Sequence, residues 1–211
     1  GELGNIKEFD NYNRKIKFLA DQLNKPDYKK IISGNSALIS FYSSGAGKLQ
    51  PLLSMSVLSD VKSRQIKDMV RTSGIKEIRS KSILANDVLV LPYINDKKND
   101  TVFISIISGL LVCTTSEHLV KEAIIQTTHA NDIRNQPGFM KVLQASGKNE
   151  DKLFVVFKNL PALLKPLLKK EHIDLAQKIG KLAGCGGGDI YLSENDLVLS
   201  GYTESLDPSE F

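Results

Sequence analysis

Hydrophobic and polar residues alternate in a strand–turn–strand pattern near the middle of the chain, and a helical pattern follows directly. Residues 101–125 read TVFISIISGLLVCTTSEHLVKEAII, which predicts two strands joined by a Ser-Gly turn and then a helix. Residues 189–203 read DIYLSENDLVLSGYT, which predicts the same hairpin without the helix. A helix-then-strand pattern precedes each hairpin, at residues 28–41 and 139–157. The chain is therefore either two degenerate copies of one unit or a chance likeness between short amphipathic segments.

The rest of the first half contains further periodic segments. Apolar residues at helical spacing predict an amphipathic helix over residues 12–23 and a second helix that Ser59 caps and that ends near residue 72. The apolar run at residues 37–42 predicts a buried strand, and residues 52–57 predict another. Four strand patterns with short links lie between residues 75 and 115, which predicts an antiparallel meander.

The second half is shorter and has more helical segments. Helical patterns over residues 137–145, 161–168 and 173–182 flank a strand at residues 153–157. Together the patterns predict an α+β fold, with one or two antiparallel sheets and helices packed on a face. The predicted organisation is an N-terminal helix and lead-in (1–27), a first α+β unit (28–136), a second, smaller α+β unit packed on the first (137–204), and a linker or chain end (205–211).

Composition narrows the class of protein. Of the 211 residues, 41% are hydrophobic and 25% are charged, which is ordinary for a folded domain with its own core. The net charge of +4 is modest, and the chain has no Trp and few other aromatic residues. These features argue against a nucleic-acid partner, because single-stranded binding relies on aromatic platforms and strong positive charge. No apolar run approaches the ~18 residues of a membrane span.

The two cysteines leave two interpretations open. Cys113 and Cys185 cannot supply a metal site by themselves. Both lie beside the predicted hairpins, so they are either a disulfide formed in an oxidising compartment or two buried free thiols.

No motif identifies a catalytic, cofactor or metal site. The GAGK sequence at residues 45–48 lacks the spacing of a phosphate-binding loop and predicts a hairpin loop. The glycines at residues 184–188 predict either a flexible lead-in to the last hairpin or close backbone packing. His118, His129 and His172 are far apart and have no metal-ligand spacing. A hydrolase site that is assembled only in three dimensions stays possible.

Positive charge collects on one predicted helix. Arg64, Lys67 and Arg71 share a helical face that could meet phosphates or anionic lipid. Asp60 and Asp68 dilute this charge, so the face also fits an ordinary solvated surface.

The order of these patterns resembles a family of uncharacterised proteins of gut-type anaerobic bacteria, which is described only as a domain of unknown function. The likeness is carried by ALISFYSS, LLSMSV, the hairpin and helix at residues 102–125, and the helix–strand unit at residues 139–157. It covers most of residues 28–203. The family brings no activity and no catalytic residues. Its members typically begin with a membrane anchor or a lipoprotein signal. The resemblance therefore implies an extracytoplasmic setting and a longer parent chain, and the polar start without Met agrees with that expectation.

The resemblance also implies a modification site. Asp100-Thr101-Val102 matches the short pattern at which such bacteria attach O-glycans to exported proteins. The surrounding residues predict a polar loop, in which Thr101 would be an accessible acceptor.

The sequence therefore predicts a non-catalytic binding or assembly module of an exported, surface- or membrane-anchored bacterial protein. Its expected partner is another protein or a further domain of the same longer chain, with no cofactor and with membrane contact only through an anchor. The alternatives are an envelope hydrolase, or a weak anion binder that uses Arg64, Lys67 and Arg71.

Overall fold

The computed structural model describes residues 14, 17, 21, 30–43, 49–72, 77–95, 98–129, 132–136, 138–147, 151–165, 167–169, 172–192 and 196–205. Arg14, Lys17 and Asp21 are helical. The rest of the helix predicted over residues 12–23 falls outside the described residues, as do the predicted loop at residues 45–48 and most of the predicted chain end.

The chain divides into two compact units, residues 1–130 and 131–211. The sequence placed this division six residues later. A 3₁₀ helix at Ile133–Asn135 accounts for the difference, because it packs against the helix at Phe139–Ala145. Both units combine helices with antiparallel strands, which confirms the α+β class.

The first unit contains a six-stranded antiparallel sheet with the spatial order β1-β2-β6-β5-β4-β3. The meander from β3 to β6 is the predicted one. Strand β6 returns to pair with β2, so β1 and β3 are the two edges. The strands are β1 (Ile32–Ser43), β2 (Leu49–Val57), β3 (Arg79–Ile83), β4 (Asn86–Asn95), β5 (Lys98–Ile107) and β6 (Leu110–Thr114).

One helix packs on each face of this sheet, α1 (Ser63–Thr72) on one side and α2 (Glu117–His129) on the other. The inner strands therefore contribute to two cores. Phe103 of β5 packs with α2 while its neighbour Ile104 packs with the α1 side. Successive strand residues point to opposite faces, and both faces are covered here. Residues 102–107 of β5 are therefore apolar except for Ser105.

Helix α1 begins later than predicted. Ser59 and Asp60 form a turn, and the backbone N–H of Lys62 donates to Oε1 of Gln65 at 2.7 Å. This contact satisfies a donor at the start of the helix, as a cap does. Ser59 is therefore not the cap, and the helix starts at Ser63.

The second unit has a three-stranded antiparallel sheet, β7-β8-β9, with a helix against one face. Phe139 and Val142 of that helix pack with Cys185 and Phe154. The ring centroids of Phe139 and Phe154 are 5.1 Å apart. The elements are α3 (Phe139–Ala145), β7 (Lys152–Val156), α4 (Leu160–Leu164), α5 (Ile173–Ile179), β8 (Ala183–Leu192) and β9 (Leu197–Ser205).

The glycine run at residues 184–188 lies inside β8, so the prediction of a flexible lead-in is wrong. Its alternative, close backbone packing, is confirmed. Gly188 is paired with Gly201 of β9, and a Cβ on either residue would collide with the backbone of the opposite strand. Only glycine allows two strands to approach this closely.

The proposed duplication gains no support from topology. In the second unit, β7 pairs with β8, the first strand of its hairpin. In the first unit, the strand that corresponds to β7 is β1, which pairs with β2 rather than with the β5–β6 hairpin. The repeat stays a prediction.

Candidate functional site

Strand β1 is an exposed apolar edge. Its exposed fractions are 58% for Leu38, 45% for Ile39, 44% for Phe41 and 37% for Tyr42. The prediction of a buried strand at residues 37–42 is therefore wrong. The physical reason is position: β1 is the outermost strand, while α1 and α2 pack over the strands inside it. An apolar run reads the same in a sequence whether a neighbour covers it or not.

Strand β1 is at one end of the sheet order among the described strands. Within the part of the chain that the structure describes, β2 is the only strand hydrogen-bonded to β1. Residues 31–43 contain no charged side chain. Leu38 and Tyr42 lie on one face of the strand and Ile39 and Phe41 on the other, because side chains alternate along a strand. An uncharged apolar edge of this kind is a template for another strand.

The predicted basic residues line a groove between α1 and the opposite edge of the sheet. Arg64, Lys67 and Arg71 face this groove, whose volume is about 380 Å³. Nζ of Lys67 donates to Oγ of Ser80 in β3 at 3.0 Å, so one lysine bridges helix and strand. The sequence pattern did not indicate Ser80 or Asp87. These residues lie on β3 and β4 and approach the helix only in the folded chain.

A small polar cleft lies between α2 and the β1–β2 edge. Its volume is about 210 Å³, and His118 and Glu122 are among its lining residues. Nδ1 of His118 lies 4.0 Å from Oε1 of Glu122, too far for a hydrogen bond, and the His118 side chain is 73% exposed. This open pair lacks the desolvation that tunes catalytic acids and bases. The hydrolase alternative thus gains no support from it.

The buried polar side chains have structural partners. Oγ of Ser105 donates to the carbonyl of Asp87, and Oγ1 of Thr114 donates to the carbonyl of Pro51, each at 2.7 Å. The Asp189 carboxylate accepts from Nζ of Lys152 at 3.1 Å. Buried polar groups of native proteins are normally paired in this way, so these three need no ligand to explain them.

Both cysteines are buried free thiols. Burial raises the pKa of the Cys113 thiol to about 12. Burial also raises the pKa of Cys185, and the negative charge of Glu204 adds to that shift. Since the thiolate is the reactive form, neither residue is poised for nucleophilic or redox chemistry.

Thr101 does not lie in a loop. Strands β4 and β5 extend further than predicted, and Thr101 is paired with Pro92 inside the β4–β5 ladder. Its own backbone N–H donates to Oδ1 of Asp100 at 2.9 Å, and the residue is half-buried. A strand position restricts an enzyme's access to the hydroxyl, which removes the loop argument for an O-glycan there.

The second unit has an apolar groove that the sequence did not indicate. Gly186, Gly188 and Gly201 form its floor, and Leu153 and Leu199 lie at its sides, around a volume of about 160 Å³. The sheet face opposite α3 therefore has a depression at its centre, because the central residues are glycines.

Neither a metal cluster nor a membrane-spanning helix occurs among the described residues. No group of three or more His, Cys, Asp or Glu side chains among the described residues could hold a metal ion. The same residues include no helix that is long and apolar enough to cross a membrane.

Comparison with protein-family models, with curated proteins and with solved structures finds no match to this chain. The resemblance drawn from the sequence therefore stays an expectation, and function has to be argued from the geometry.

Proposed function

We propose that the protein is a non-catalytic binding or assembly module that takes up an extended polypeptide segment at the edge strand β1. The segment has apolar residues at alternate positions and belongs to another protein or to a further domain of the same longer chain. The observation that carries the proposal is that Leu38, Ile39, Phe41 and Tyr42 are exposed on an uncharged strand whose one hydrogen-bonded neighbour among the described strands is β2.

Strand addition suits this edge for two reasons. The backbone of β1 offers donors and acceptors to an incoming strand, which supplies affinity regardless of sequence. The side chains then supply selectivity. Leu38 and Tyr42 contact side chains of the added strand on one face of the sheet, and Ile39 and Phe41 contact those on the other face. A charged segment would gain little, since β1 offers no opposite charge.

The exposed apolar area sets the expected strength. The four side chains together expose roughly 300 to 400 Å², if each has an accessible area on the order of 200 Å². Stable interfaces bury about 1,200 Å² or more. Side-chain contacts alone are therefore too few, and backbone hydrogen bonds must contribute. We expect a reversible complex with a Kd of roughly 10 to 100 μM for a short segment.

Fluorescence polarisation tests this proposal. The probe is a labelled eight-residue peptide in which valine and threonine alternate. Phe41→Lys should weaken binding at least tenfold, because it places a charge in the apolar contact. Leu175→Lys is the matched control: Leu175 is 57% exposed but lies on α5 of the second unit, so binding should not change.

A second peptide with proline at its centre distinguishes strand pairing from nonspecific hydrophobic binding. Proline removes a backbone donor and does not fit a ladder, so this peptide should bind far more weakly. Equal binding of the two peptides, or no binding of either, contradicts strand addition. A dimer of the protein that Phe41→Lys dissociates would make a second copy the occupant and would overturn the proposal of a foreign segment.

The proposal includes an exported location, in the periplasm or at the cell surface, with an anchor in the full-length protein. Its support is the family resemblance alone. Fractionation of cells that produce the tagged full-length protein tests the location, and recovery of the tag from the cytoplasm would contradict it.

A further inference from the structure

We propose that the groove between α1 and the β3 edge binds a small anion that carries a phosphoryl group. This site is separate from β1 and does not depend on strand addition there. The groove is lined by three cations from one helix and by two serines, Ser63 and Ser80.

The cations are arranged along the groove at a regular spacing. Arg64, Lys67 and Arg71 follow one another at intervals of three and four residues, which places them on one face of α1. The opposite face carries Ile66 and Val70, which are buried in the core. The helix cannot turn this basic face away without exposing those two side chains, so the groove keeps its cations.

Each cation has a different local environment. Lys67, in the middle, is oriented by its hydrogen bond to Ser80. Nη1 of Arg71 lies 3.6 Å from Oδ1 of Asp68, and both side chains are largely exposed, so this contact is weak. Arg64 makes no ion pair with any residue that the structure describes. Its guanidinium is therefore available to a ligand.

Charge balance sets the ligand class. The same groove is lined by two carboxylates, Asp68 on α1 beside the cations and Asp87 on β4, which leaves one excess positive charge. The excess positive charge attracts an anion, and it attracts a phosphoryl group, with a charge of about −1.5 to −2 near pH 7, more strongly than a monovalent ion. Arginine forks, a lysine and hydroxyl donors together suit a phosphoryl group, because it presents several acceptor oxygens in different directions. A volume of about 380 Å³ accommodates a small molecule.

NMR titration of the ¹⁵N-labelled chain with inorganic phosphate tests the proposal at constant ionic strength, with sodium chloride as the reference anion. We expect saturable shifts of amides in residues 63–72 and 79–89, which chloride does not reproduce. Equal shifts with chloride, or shifts that do not saturate, would overturn the proposal by revealing general screening.

Three variants sharpen the test. Arg64→Gln should weaken phosphate binding about fivefold, and the further change Lys67→Gln should weaken it beyond detection. Asp87→Asn should tighten binding about threefold, because it removes a repelling carboxylate; a gain of affinity cannot come from damage to the fold.

Arg79→Gln is the matched control. It also removes one arginine charge, from the β3 edge beside the groove, but Arg79 and Ser80 point to opposite faces of β3. Binding should therefore change less than twofold. A loss equal to that of Arg64→Gln would show that net charge, rather than the groove, attracts the anion, and would overturn the site.

A final arm distinguishes the source of the phosphoryl group. Sedimentation with vesicles of anionic phospholipid is compared with titration by glycerol phosphate. Vesicle binding that Arg64→Gln weakens identifies a lipid headgroup, whereas binding of glycerol phosphate without vesicle binding identifies a soluble ligand. Failure of both arms would overturn the proposal, while binding at β1 would be unaffected.

Discussion

The two edges of the six-stranded sheet are built from opposite kinds of residue. Strand β1 exposes Leu38, Ile39 and Phe41 and has no charge, whereas β3 exposes Arg79 and Lys81. Both strands have one paired neighbour among the described strands, so backbone pairing does not distinguish them. Charged side chains are a common means of preventing edge-to-edge association. Strand β3 therefore carries the charges that protect a sheet edge from further pairing, and β1 lacks them.

The charges on β3 also connect to the rest of the unit. Nζ of Lys81 lies 2.6 Å from Oε1 of Glu117, at the first residue of α2. Lys67 of α1 meets Ser80 from the other face. Polar contacts therefore reach the β3 edge from both faces of the sheet, whereas Leu38, Ile39 and Phe41 of β1 stay exposed.

The largest expected effect on stability tests whether the core begins at β2, the strand next to the β1 edge. Ile39 of β1 lies opposite Leu53 of β2, so the two residues share a face but differ in burial. Leu53→Ala should lower the free energy of unfolding by about 3 kcal/mol, because it leaves a cavity in the core. Ile39→Ala should cost under about 1 kcal/mol, since its side chain is 45% exposed. Urea denaturation measures both values.

The outcome separates two explanations of the β1 side chains. Nearly equal losses from Leu53→Ala and Ile39→Ala would mean that the β1 residues belong to the core of the folded chain. That result would remove the distinction between the two edges and, with it, the main support for binding at β1.

The second expected effect concerns Cys113, which is paired with Leu53 across the same inner strands. The thiol ionises near 9.0 in the unfolded chain, whereas burial raises its folded pKa to about 12. The folded state thus keeps its proton in this window while the unfolded state loses it. Stability is complete below the lower value and falls as pH rises, by about 1.4 kcal/mol per pH unit.

Cys113→Ala is the reference for this effect, because it removes the titrating group and leaves other ionisations in place. The difference in the free energy of unfolding between the native protein and the variant should shrink from pH 8.5 to pH 10.5. A constant difference would mean that water reaches Cys113, and would place the edge of the core one strand further in.

The fold was predictable from the sequence where the pattern is local. The turn of the β5–β6 hairpin and helix α2 occur where predicted, because alternation, a Ser-Gly turn and helical spacing all lie within residues 101–125; only the start of β5, at Lys98, is earlier than predicted. Burial of β1 was not predictable, since it depends on which strand is outermost. The same holds for the strand character of residues 184–188, which is set by the pairing of Gly188 with Gly201.

The candidate sites divide in the same way. Helical spacing placed Arg64, Lys67 and Arg71 on one face, and they do line one groove. Ser80 and Asp87 complete that groove from other elements, and no local pattern connects them with the helix. Thr101 was assigned to a loop because the ends of β4 and β5 are polar; backbone pairing with β4 places it in the ladder instead.

The smallest expected effect concerns the turn that joins the β3 edge to β4. Ile83 pairs with Asn86, so Leu84 and Ala85 form a two-residue turn, with φ values of 47° and 64°. Side chains other than glycine are disfavoured there by about 1 to 2 kcal/mol per residue. Ala85→Gly should therefore stabilise the first unit by about 0.5 to 1 kcal/mol, after the entropy cost of glycine, as measured by urea denaturation.

Gly109 in the β5–β6 turn provides the reverse test. Its φ is 80°, and a Cβ there would meet nothing within 4 Å, so Gly109→Ala isolates the backbone cost and should destabilise by about 1 kcal/mol. Neither change alters a charge on β3 or a side chain of β1. Peptide binding at β1 should therefore stay the same in both variants; a change in binding would mean that the two edges are coupled through the sheet and are not independent surfaces.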